Sequence, residues 1–303
     1  MTILVLGGGN GSERGVSLRS SAAVREALHE LGHTVTAGDP RDGEAAVVAA
    51  ARAADLVFPI LHGVGGEDGT VQRWLDAAGR PYLGSDAAAS ELCFNKQRLL
   101  DRAARHGIAV PAGGVVTRAE FAASELKDAP FVLKPVADGS TIGCLIVRSM
   151  PYDQRRVREL FKQYGQMILE ELVEGIELTV PVLGDKALPV IEIIPPAGQE
   201  FDFDNKYNGA TAELCPPQHV PAEAQHRAQQ LAENVHQLAG CRHLSRTDMI
   251  LRPDGQLVLL EINTLPGLTN QSLYPRSANV AGLSFGQLID RFVAMLRETV
   301  TLS

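Results

Sequence analysis

Four polar residues near the end of the sequence are spaced so that a β-hairpin would place them on one face. Asp254 and Gly255 stand between two apolar runs, a pattern typical of a two-residue hairpin turn. Side chains two residues apart on a strand share a face. With Asp254 and Gly255 at the centre of the turn, the face holds two opposed pairs: Arg246 with Asn263, and Asp248 with Glu261.

This arrangement indicates a metal site. Two carboxylates directly opposite each other, Asp248 and Glu261, repel and destabilise a sheet, and a divalent cation between them reverses the sign of that interaction. Oxygen ligands from two carboxylates and the Asn263 amide suit Mg²⁺ or Mn²⁺ rather than Zn²⁺. The alternative is a solvated sheet face on which Arg246 neutralises the acids.

Two lysines and a Gly/Ser-rich segment could bind phosphate. Lys134 lies near the end of an apolar run, and the segment 139–143 (GSTIG) follows it closely. A loop of this composition between two strands can fold over a phosphate and present N–H groups to it. Lys96 lies in the opening part of a predicted helix (89–106), and Lys206 lies in an irregular stretch. Each lysine alone would be interpreted as a solvated side chain.

A glycine-rich segment near the start, residues 7–20 (GGGNGSERGVSLRS), follows an apolar run and precedes a helical pattern. A strand, a glycine loop and a helix are typical of phosphate binding at a helix N-terminus. Gly7 and Gly9, with Asp39 at the end of the second strand, match part of a nicotinamide dinucleotide fingerprint. Ser12 stands where its third glycine belongs, so an oxidoreductase is a distant alternative.

Composition places the chain among ordinary globular proteins. It has 303 residues, 45% of them apolar, and a net charge of −8, so we expect no broad surface for nucleic acid or anionic membrane. No apolar run is long enough to span a bilayer, and no signal peptide is recognised. The four cysteines are scattered without metal-ligand spacing, which predicts reduced thiols and a cytoplasmic location.

The elements that must position these residues change along the chain. The first third alternates strands (3–6, 33–37, 55–62) with helices (17–31, 44–54, 69–78), a pattern typical of an open parallel α/β layer. The middle has a helix over 89–106 and strands at 131–134, 144–147 and 166–172. The last third has strands at 177–183 and 188–194, a helix over 222–239, the hairpin, and a helix over 285–297. Residues 196–219 show little periodicity, and such a long loop is usually functional or disordered.

Nine motifs in this order resemble the D-alanine–D-alanine ligases of the ATP-grasp superfamily, over nearly the whole chain. They are residues 61–69 (LHGVGGEDG), 95–96 (NK), 132–135 (VLKP), 139–143 (GSTIG), 174–179 (EGIELT), 205–207 (NKY), 245–248 (SRTD), 261–267 (EINTLPG) and 272–273 (SL). The resemblance implies a mixed α/β and α+β fold of three domains. These are an N-terminal α/β domain (1–91), a central ATP-grasp domain (92–177) and a C-terminal ATP-grasp domain (178–303), with ATP between the last two. It also suggests a homodimer.

The resemblance assigns the nucleotide and metal residues. Two Mg²⁺ ions, with Mn²⁺ as the alternative, would be bound by Asp248, Glu261 and Asn263, in agreement with the hairpin argument. Segment 196–219 would be a lid. The nucleotide residues are Lys96, Lys134 and Ser140 at the phosphates, Glu170, Glu171 and Leu172 at the adenine, and Glu177 at the ribose. Lys206, carried by the lid, would contact the transferred phosphate.

It also assigns the amino-acid residues. Glu13 would bind the ammonium group of the first D-alanine and be linked through Ser140 to the lid residue Tyr207. Arg246 would stabilise the oxyanion of the tetrahedral intermediate. The second substrate's carboxylate would lie near Gly267, Ser272 and Leu273, and His62 and Glu67 would line the same site.

The implied reaction is ATP-dependent ligation of two D-alanines through an acyl phosphate, for peptidoglycan precursor synthesis. A closely related alternative takes D-lactate or D-serine as acceptor, and Tyr207 favours the dipeptide. A non-catalytic ATP-binding homologue is a further alternative, but every expected catalytic position is filled. The glycine loop departs from the family: its spacing to Glu13 is altered, and Gly15 stands where an acid is common. Thr141 and Ile142 replace a frequent Ser-Val.

Overall fold

The computed structural model describes residues 1–139, 142–195 and 211–301, with side chains as far as residue 298. Its strands are β1 (Thr2–Leu6), β2 (Thr34–Gly38), β3 (Leu56–Pro59), β4 (Gly113–Thr117), β5 (Phe131–Pro135), β6 (Leu145–Val147), β7 (Gln166–Glu171), β8 (Ile176–Leu183), β9 (Lys186–Ala187), β10 (Ile191–Ile194), β11 (Ala212–Leu214), β12 (Leu244–Leu251) and β13 (Leu257–Asn263). Its helices are α1 (Arg14–Glu30), α2 (Glu44–Arg52), α3 (Thr70–Ala78), α4 (Ala87–Phe94), α5 (Lys96–Arg105), α6 (Arg118–Ala123), α7 (Gln154–Tyr164), α8 (Ala222–Ala239), α9 (Leu273–Val280) and α10 (Phe285–Thr301).

The first sheet is parallel, in the order β2-β1-β3, which confirms the α/β layer predicted for the start of the chain. Strands β1 and β3 consist almost wholly of buried apolar residues, as expected where helices cover both faces. The last helix, α10, packs on this sheet, because Leu288 and Phe292 share one apolar cluster with Ile3 and Val5 of β1. The first and last elements of the chain therefore form one core.

The second sheet is antiparallel, in the order β4-β7-β5-β6. Ahead of it, the single helix predicted over 89–106 is wrong, because the chain forms two helices, α4 and α5, separated at Asn95. The backbone of Asn95 is extended (φ −84°, ψ 94°), and its side chain accepts a hydrogen bond from Arg98 N–H as the N-cap of α5. This break makes Lys96 the first residue of a helix that starts beside the second sheet.

The third sheet runs β11-β10-β8-β12-β13, with β9 paired to β8. Asp248 pairs with Glu261, and Arg246 with Asn263, as the hairpin argument predicts. The predicted two-residue turn is wrong: Arg252 N–H donates to Gln256 O at 2.8 Å, which leaves a three-residue turn.

A second irregularity compensates for that turn. Gly255 takes the left-handed conformation that such a turn requires (φ 86°), and a bulge at Leu260 shifts the register between Asp248 and Met249. The turn displaces the pairing by one residue and the bulge restores it. The polar face is therefore correct although the turn was predicted wrongly.

Sequence reasoning missed four short elements: β4, β9, β11 and α9. It also began α1 three residues late, because Glu13 and not a residue near Ser17 precedes the helix. Among the described residues, no helix is long and apolar enough to cross a membrane.

Candidate active site

Two cavities adjoin where the three sheets meet, and they share three wall residues: Lys96, Asp138 and Glu261. The first has a volume of about 690 Å³ and the second about 700 Å³. The first is lined largely by charged and hydroxyl side chains, whereas the second has walls rich in valine, isoleucine and leucine. One site thus offers a polar chamber and an apolar chamber with a charged junction between them.

The structure brings the predicted site residues together in these two walls. The first cavity is lined by Glu13, His62, Glu67, Arg246, Asn263, Gly267, Ser272 and Leu273, and the second by Lys134, Glu170, Glu171, Leu172, Glu177 and Asp248. Three predicted residues, Ser140, Lys206 and Tyr207, lie outside the described residues.

The polar face of the hairpin is organised by Arg246. Its Nε donates to Oδ1 of Asp248 at 2.9 Å and its Nη2 to Oδ2 at 2.8 Å, a two-pronged ion pair with side chains 11% and 13% exposed. Thr179 of the neighbouring strand β8 donates its hydroxyl to the same Oδ1 at 2.5 Å. Burial, the largest single cause, would lower the pKa of Arg246, but the Asp248 carboxylate together with Glu261 and Glu67 raises it above the ordinary value.

The junction is held by Lys96. Its Nζ lies 3.0 Å from Oε2 of Glu261 and donates to the backbone carbonyl of Asp138 at 2.7 Å. Burial, the largest single cause, would lower the pKa of Lys96, but the charge and hydrogen bond of Glu261, together with the charges of Glu67 and Asp138, hold the pKa above the usual value. The ammonium therefore stays charged at the boundary between the two cavities, where it can meet a phosphate that reaches from one into the other.

A second buried lysine serves the apolar cavity. Lys134 Nζ lies 2.5 Å from Oε1 of Glu170, with the two side chains 11% and 5% exposed. Next to them, Glu171 accepts a hydrogen bond from Nη2 of Arg252 at 2.6 Å, which ties β7 to the hairpin. The apolar walls around Lys134 include Val132 and Ile146. A flat apolar group with an anionic end would suit this chamber.

Two buried acids and a histidine occupy the polar cavity. His62 Nδ1 lies 3.0 Å from the carbonyl oxygen of Leu265, so Nδ1 carries the proton, and burial lowers the pKa of this imidazole. Its buried Nε2 has no partner within the described parts of the chain. Glu67 accepts hydrogen bonds from the backbone N–H groups of Gly63 at 2.8 Å and Leu265 at 3.4 Å.

These neighbours give Glu67 a pH-dependent effect on stability. Burial, followed by the Glu13 carboxylate, raises the pKa of Glu67 from 4.5 to about 8. Between those values the folded state holds a proton that the unfolded chain has released, so the free energy of unfolding falls as pH rises. The slope from this group is at most about 1.4 kcal/mol per pH unit.

Glu67→Gln should therefore flatten the fall in stability between about pH 5 and about pH 8. His62, whose pKa is lowered, acts in the opposite direction below its ordinary pKa of 6.5, so wild type and variant must be compared at each pH. Denaturant unfolding gives the free energies, and Glu159→Gln on the exposed face of α7 is the control. An unchanged slope in Glu67→Gln would contradict the assignment.

Helix α9 forms another part of the polar wall. Ser272 precedes it, and the Ser272 Oγ accepts a hydrogen bond from Thr269 N–H at 3.1 Å. Arg276, in the first turn of α9, lies 2.8 Å from Oε2 of Glu213 on β11. Backbone N–H groups at such a helix start favour an anion.

Two family models and curated relatives match this chain over most of its length. The D-ala D-ala ligase C-terminus family model matches residues 105–294, and the D-ala D-ala ligase N-terminus model matches residues 36–85. A D-alanine–D-alanine ligase of Nitratidesulfovibrio vulgaris is 42% identical over 298 residues, which cover 97% of this chain and 98% of the relative. The chain belongs to the D-alanine–D-alanine ligase family.

Solved structures of related ligases share the fold. The D-alanine–D-alanine ligase of Bacillus anthracis complexed with ATP superposes with a TM-score of 0.83 at 27% identity, covering 99% of this chain and 98% of the other. The VanG D-Ala:D-Ser ligase of Enterococcus faecalis has a TM-score of 0.82 at 30% identity, with 98% and 99% covered. The predicted ATP-grasp fold is thereby confirmed for this ligase.

Membership of the ligase family replaces the oxidoreductase interpretation of the glycine loop. Asp39, the acidic residue of the partial nicotinamide dinucleotide fingerprint, is already engaged: its Oδ2 lies 2.7 Å from Arg14 Nη1, and its Oδ1 accepts a hydrogen bond from Gly9 N–H at 2.9 Å. The loop instead leads to Glu13, whose buried side chain lines the polar cavity.

Sequence reasoning missed several residues that organise the ligase site, notably Asp138, Thr179 and Arg276. Asp138 directly precedes the Gly/Ser segment, and this position could have indicated that it belongs to the site. Thr179 was quoted within a motif, but only the pairing of Asp248 with Thr179 across β8 and β12 reveals its contact. Arg276 lies in a helix that was not predicted.

Proposed function

We propose that this ligase joins two D-alanine molecules while converting ATP to ADP and phosphate, for peptidoglycan precursor synthesis. The first D-alanine carboxylate takes the γ-phosphoryl group, and the amine of the second attacks the resulting acyl phosphate and displaces phosphate. The junction at Lys96 and Glu261 carries the proposal, because there a polar chamber suited to amino acids meets an apolar chamber suited to a nucleotide. Phosphoryl transfer needs such positioning and charge neutralisation more than a protein nucleophile.

The apolar chamber is the proposed nucleotide subsite. Lys134 and Lys96 would meet the phosphates, Glu177 the ribose, and the end of β7 at Leu172 the adenine. Two related observations support this placement: the buried charge on both lysines, and the ATP complex of the related Bacillus anthracis ligase. Phosphates bound at Lys134 would have to compete with Glu170 for the ammonium group of Lys134.

The hairpin residues fit a magnesium site by their chemistry. Asp248, Glu261 and Asn263 offer only oxygen donors, and Asp248 and Glu261 face each other across the strands. Among the described residues no three His, Cys, Asp or Glu side chains form a metal-binding group, and in this proposal the amide of Asn263 is the third protein ligand. Its Oδ1 accepts one hydrogen bond, from Leu265 N–H at 3.0 Å, and keeps a second lone pair. Bound Mg²⁺ would neutralise the polyphosphate charge.

The polar chamber is the proposed amino-acid subsite. Glu13 would bind the ammonium group of the donor D-alanine, and His62 and Glu67 would line the same wall of the cavity. Arg246 would stabilise the oxyanion that forms when the second amine attacks, since its guanidinium is held rigidly by Asp248. The acceptor carboxylate would lie at the start of α9, near Ser272.

The acceptor is tested by phosphate release with D-alanine alone and with D-alanine plus D-lactate or D-serine, at several pH values. We expect D-alanine to be the preferred acceptor near neutral pH. The related VanG D-Ala:D-Ser ligase makes D-serine the second candidate. Preference for D-lactate over D-alanine near neutral pH would contradict the proposal, and preference for D-serine would reassign the acceptor within the same mechanism.

A cytoplasmic location is proposed on the cysteines. All four, Cys93, Cys144, Cys215 and Cys241, are free thiols in the structure, as expected in a reducing compartment. The homodimer and the division at residues 91 and 177 stay predictions from the family resemblance.

A further inference from the structure

We infer that the Arg14–Asp39 ion pair positions the donor subsite: it fixes the glycine turn that aims Glu13 at the ammonium group of the first amino acid. The inference rests on the proposed function, because Glu13 is there the ligand of that ammonium. Arg14 directly follows Glu13 and is the first residue of α1. Arg14 is thus a positioning residue.

The ion pair holds both backbone groups of Gly9. Arg14 Nη1 lies 2.7 Å from Asp39 Oδ2 and donates to the carbonyl oxygen of Gly9 at 3.0 Å. The other carboxylate oxygen, Oδ1, accepts a hydrogen bond from Gly9 N–H at 2.9 Å. Both peptide planes at Gly9 are therefore fixed by one pair of side chains that bridges the end of β2 and the start of α1.

The ion pair also lies directly on Gly8. A Cβ at that position would come within 2.4 Å of Asp39 Oδ2 and 2.5 Å of Arg14 Nη1, and the φ of 98° is itself unfavourable for other residues. Gly8 N–H donates to Ser17 Oγ at 2.8 Å, and that hydroxyl donates to the carbonyl of Ile60 at 2.6 Å. The turn is thus anchored to β2, to α1 and to the end of β3.

Glu13 has little room to move if this turn shifts. Its Oε2 approaches the backbone of two other loops so closely that a Cβ at Gly139 would lie 2.3 Å away and one at Gly63 3.0 Å away. A small rotation of the first turn of α1 would press the carboxylate against these loops or withdraw it from the cavity. Displacements near 1 Å are enough to cost about a hundredfold in a positioned reaction.

The KM values of the substrates separate this role from a merely stabilising one. The side chains of Arg14 and Asp39 are 29% and 23% exposed, so solvent screens their ion pair only in part, and its removal would lower the free energy of unfolding in either role. If the pair only stabilised the fold, the KM values for donor, acceptor and ATP would stay unchanged or change together. A positioning role changes the KM for the donor alone.

The test measures the donor in isolation. Hydroxylamine attacks the acyl phosphate, which forms a hydroxamate and releases phosphate, so the donor KM is obtained without an acceptor. In Arg14→Met we expect the donor KM to rise about tenfold, the cost of a displaced charge-assisted hydrogen bond, with the KM for ATP and for the acceptor within about twofold. Arg14→Lys, which keeps one charged donor, should restore part of the loss. The donor KM of Glu13→Ala sets the upper limit.

Asp39→Asn should reproduce Arg14→Met, and the double variant should be little worse than either, because the two side chains act as one unit. Arg155→Met, which removes an exposed ion pair on α7, should leave all constants unchanged. An unchanged donor KM, or equal increases for donor, acceptor and ATP, would overturn the inference. If Arg14→Met does not fold, Arg14→Lys and Asp39→Asn decide it. A wild-type enzyme that forms neither hydroxamate nor dipeptide would refute the proposed function instead.

Discussion

Glu261→Gln should abolish Mg²⁺-dependent turnover while the fold stays intact. Glu261 lines both cavities, faces Asp248 across the hairpin and contacts Lys96. Removing its charge weakens a proposed metal site and loosens the lysine that would meet the transferred phosphate. Because such electrostatic stabilisation supplies several kcal/mol at the transition state, we expect kcat to fall at least about a thousandfold.

Phosphate release against increasing Mg²⁺ and Mn²⁺ measures this effect, and thermal unfolding monitors the fold. Glu159→Gln is the matched control, since Glu159 pairs with Arg155 on the exposed face of α7, away from both cavities. We expect the control to keep wild-type kinetics. Near-wild-type turnover in Glu261→Gln would refute the metal assignment even if the protein still ligates D-alanine.

Arg246→Met should lower both activity and stability, and the two losses have different causes. Loss of a preorganised oxyanion donor should reduce kcat by about a hundredfold to a thousandfold. Asp248 would also stay buried without its cation, and breaking a buried ion pair costs about 3–5 kcal/mol of unfolding free energy. Arg246→Lys keeps the charge but cannot form the two-pronged pair, so it should recover stability more than kcat.

Denaturant unfolding with and without Mg²⁺ distinguishes these causes. A cation bound near Asp248 would offset the unpaired carboxylate, so added Mg²⁺ should reduce the stability difference between Arg246→Met and wild type while kcat stays low. Equal recovery of kcat and stability would contradict the oxyanion role. Arg155→Met again controls for loss of an ordinary surface guanidinium.

The sequence predicted most of what depends on local chemistry. The turn residues Asp254 and Gly255 between apolar runs located the hairpin, and the register counted from that turn placed Asp248 opposite Glu261. It could not predict how the turn was built, because a three-residue turn and a bulge at Leu260 give the same far pairing as a two-residue turn without a bulge. The pairing of residues far from the turn is the same in both cases, so it does not reveal a turn and a bulge that compensate for each other.

Other misses arose where a contact outside the element decides its structure. The apolar pattern over 89–106 runs through Asn95, and only the capping of α5 by that side chain reveals the break. The short helix α9 contains a proline, Pro275, within its first turn, where a proline is tolerated but where sequence patterns favour a loop. The ion pair between Arg14 and Asp39 joins residues 25 apart and has no local signal.

The packing of α10 on β1 has a consequence for how this chain is made. The ribosome makes the first sheet long before it makes Leu288 and Phe292, which cover part of that sheet. Before α10 is made, an apolar face around Ile3 and Val5 is exposed. Exposed surfaces of this kind promote aggregation and chaperone binding. The N-terminal unit can begin to fold during synthesis, but its core is complete only after α10 has left the ribosome.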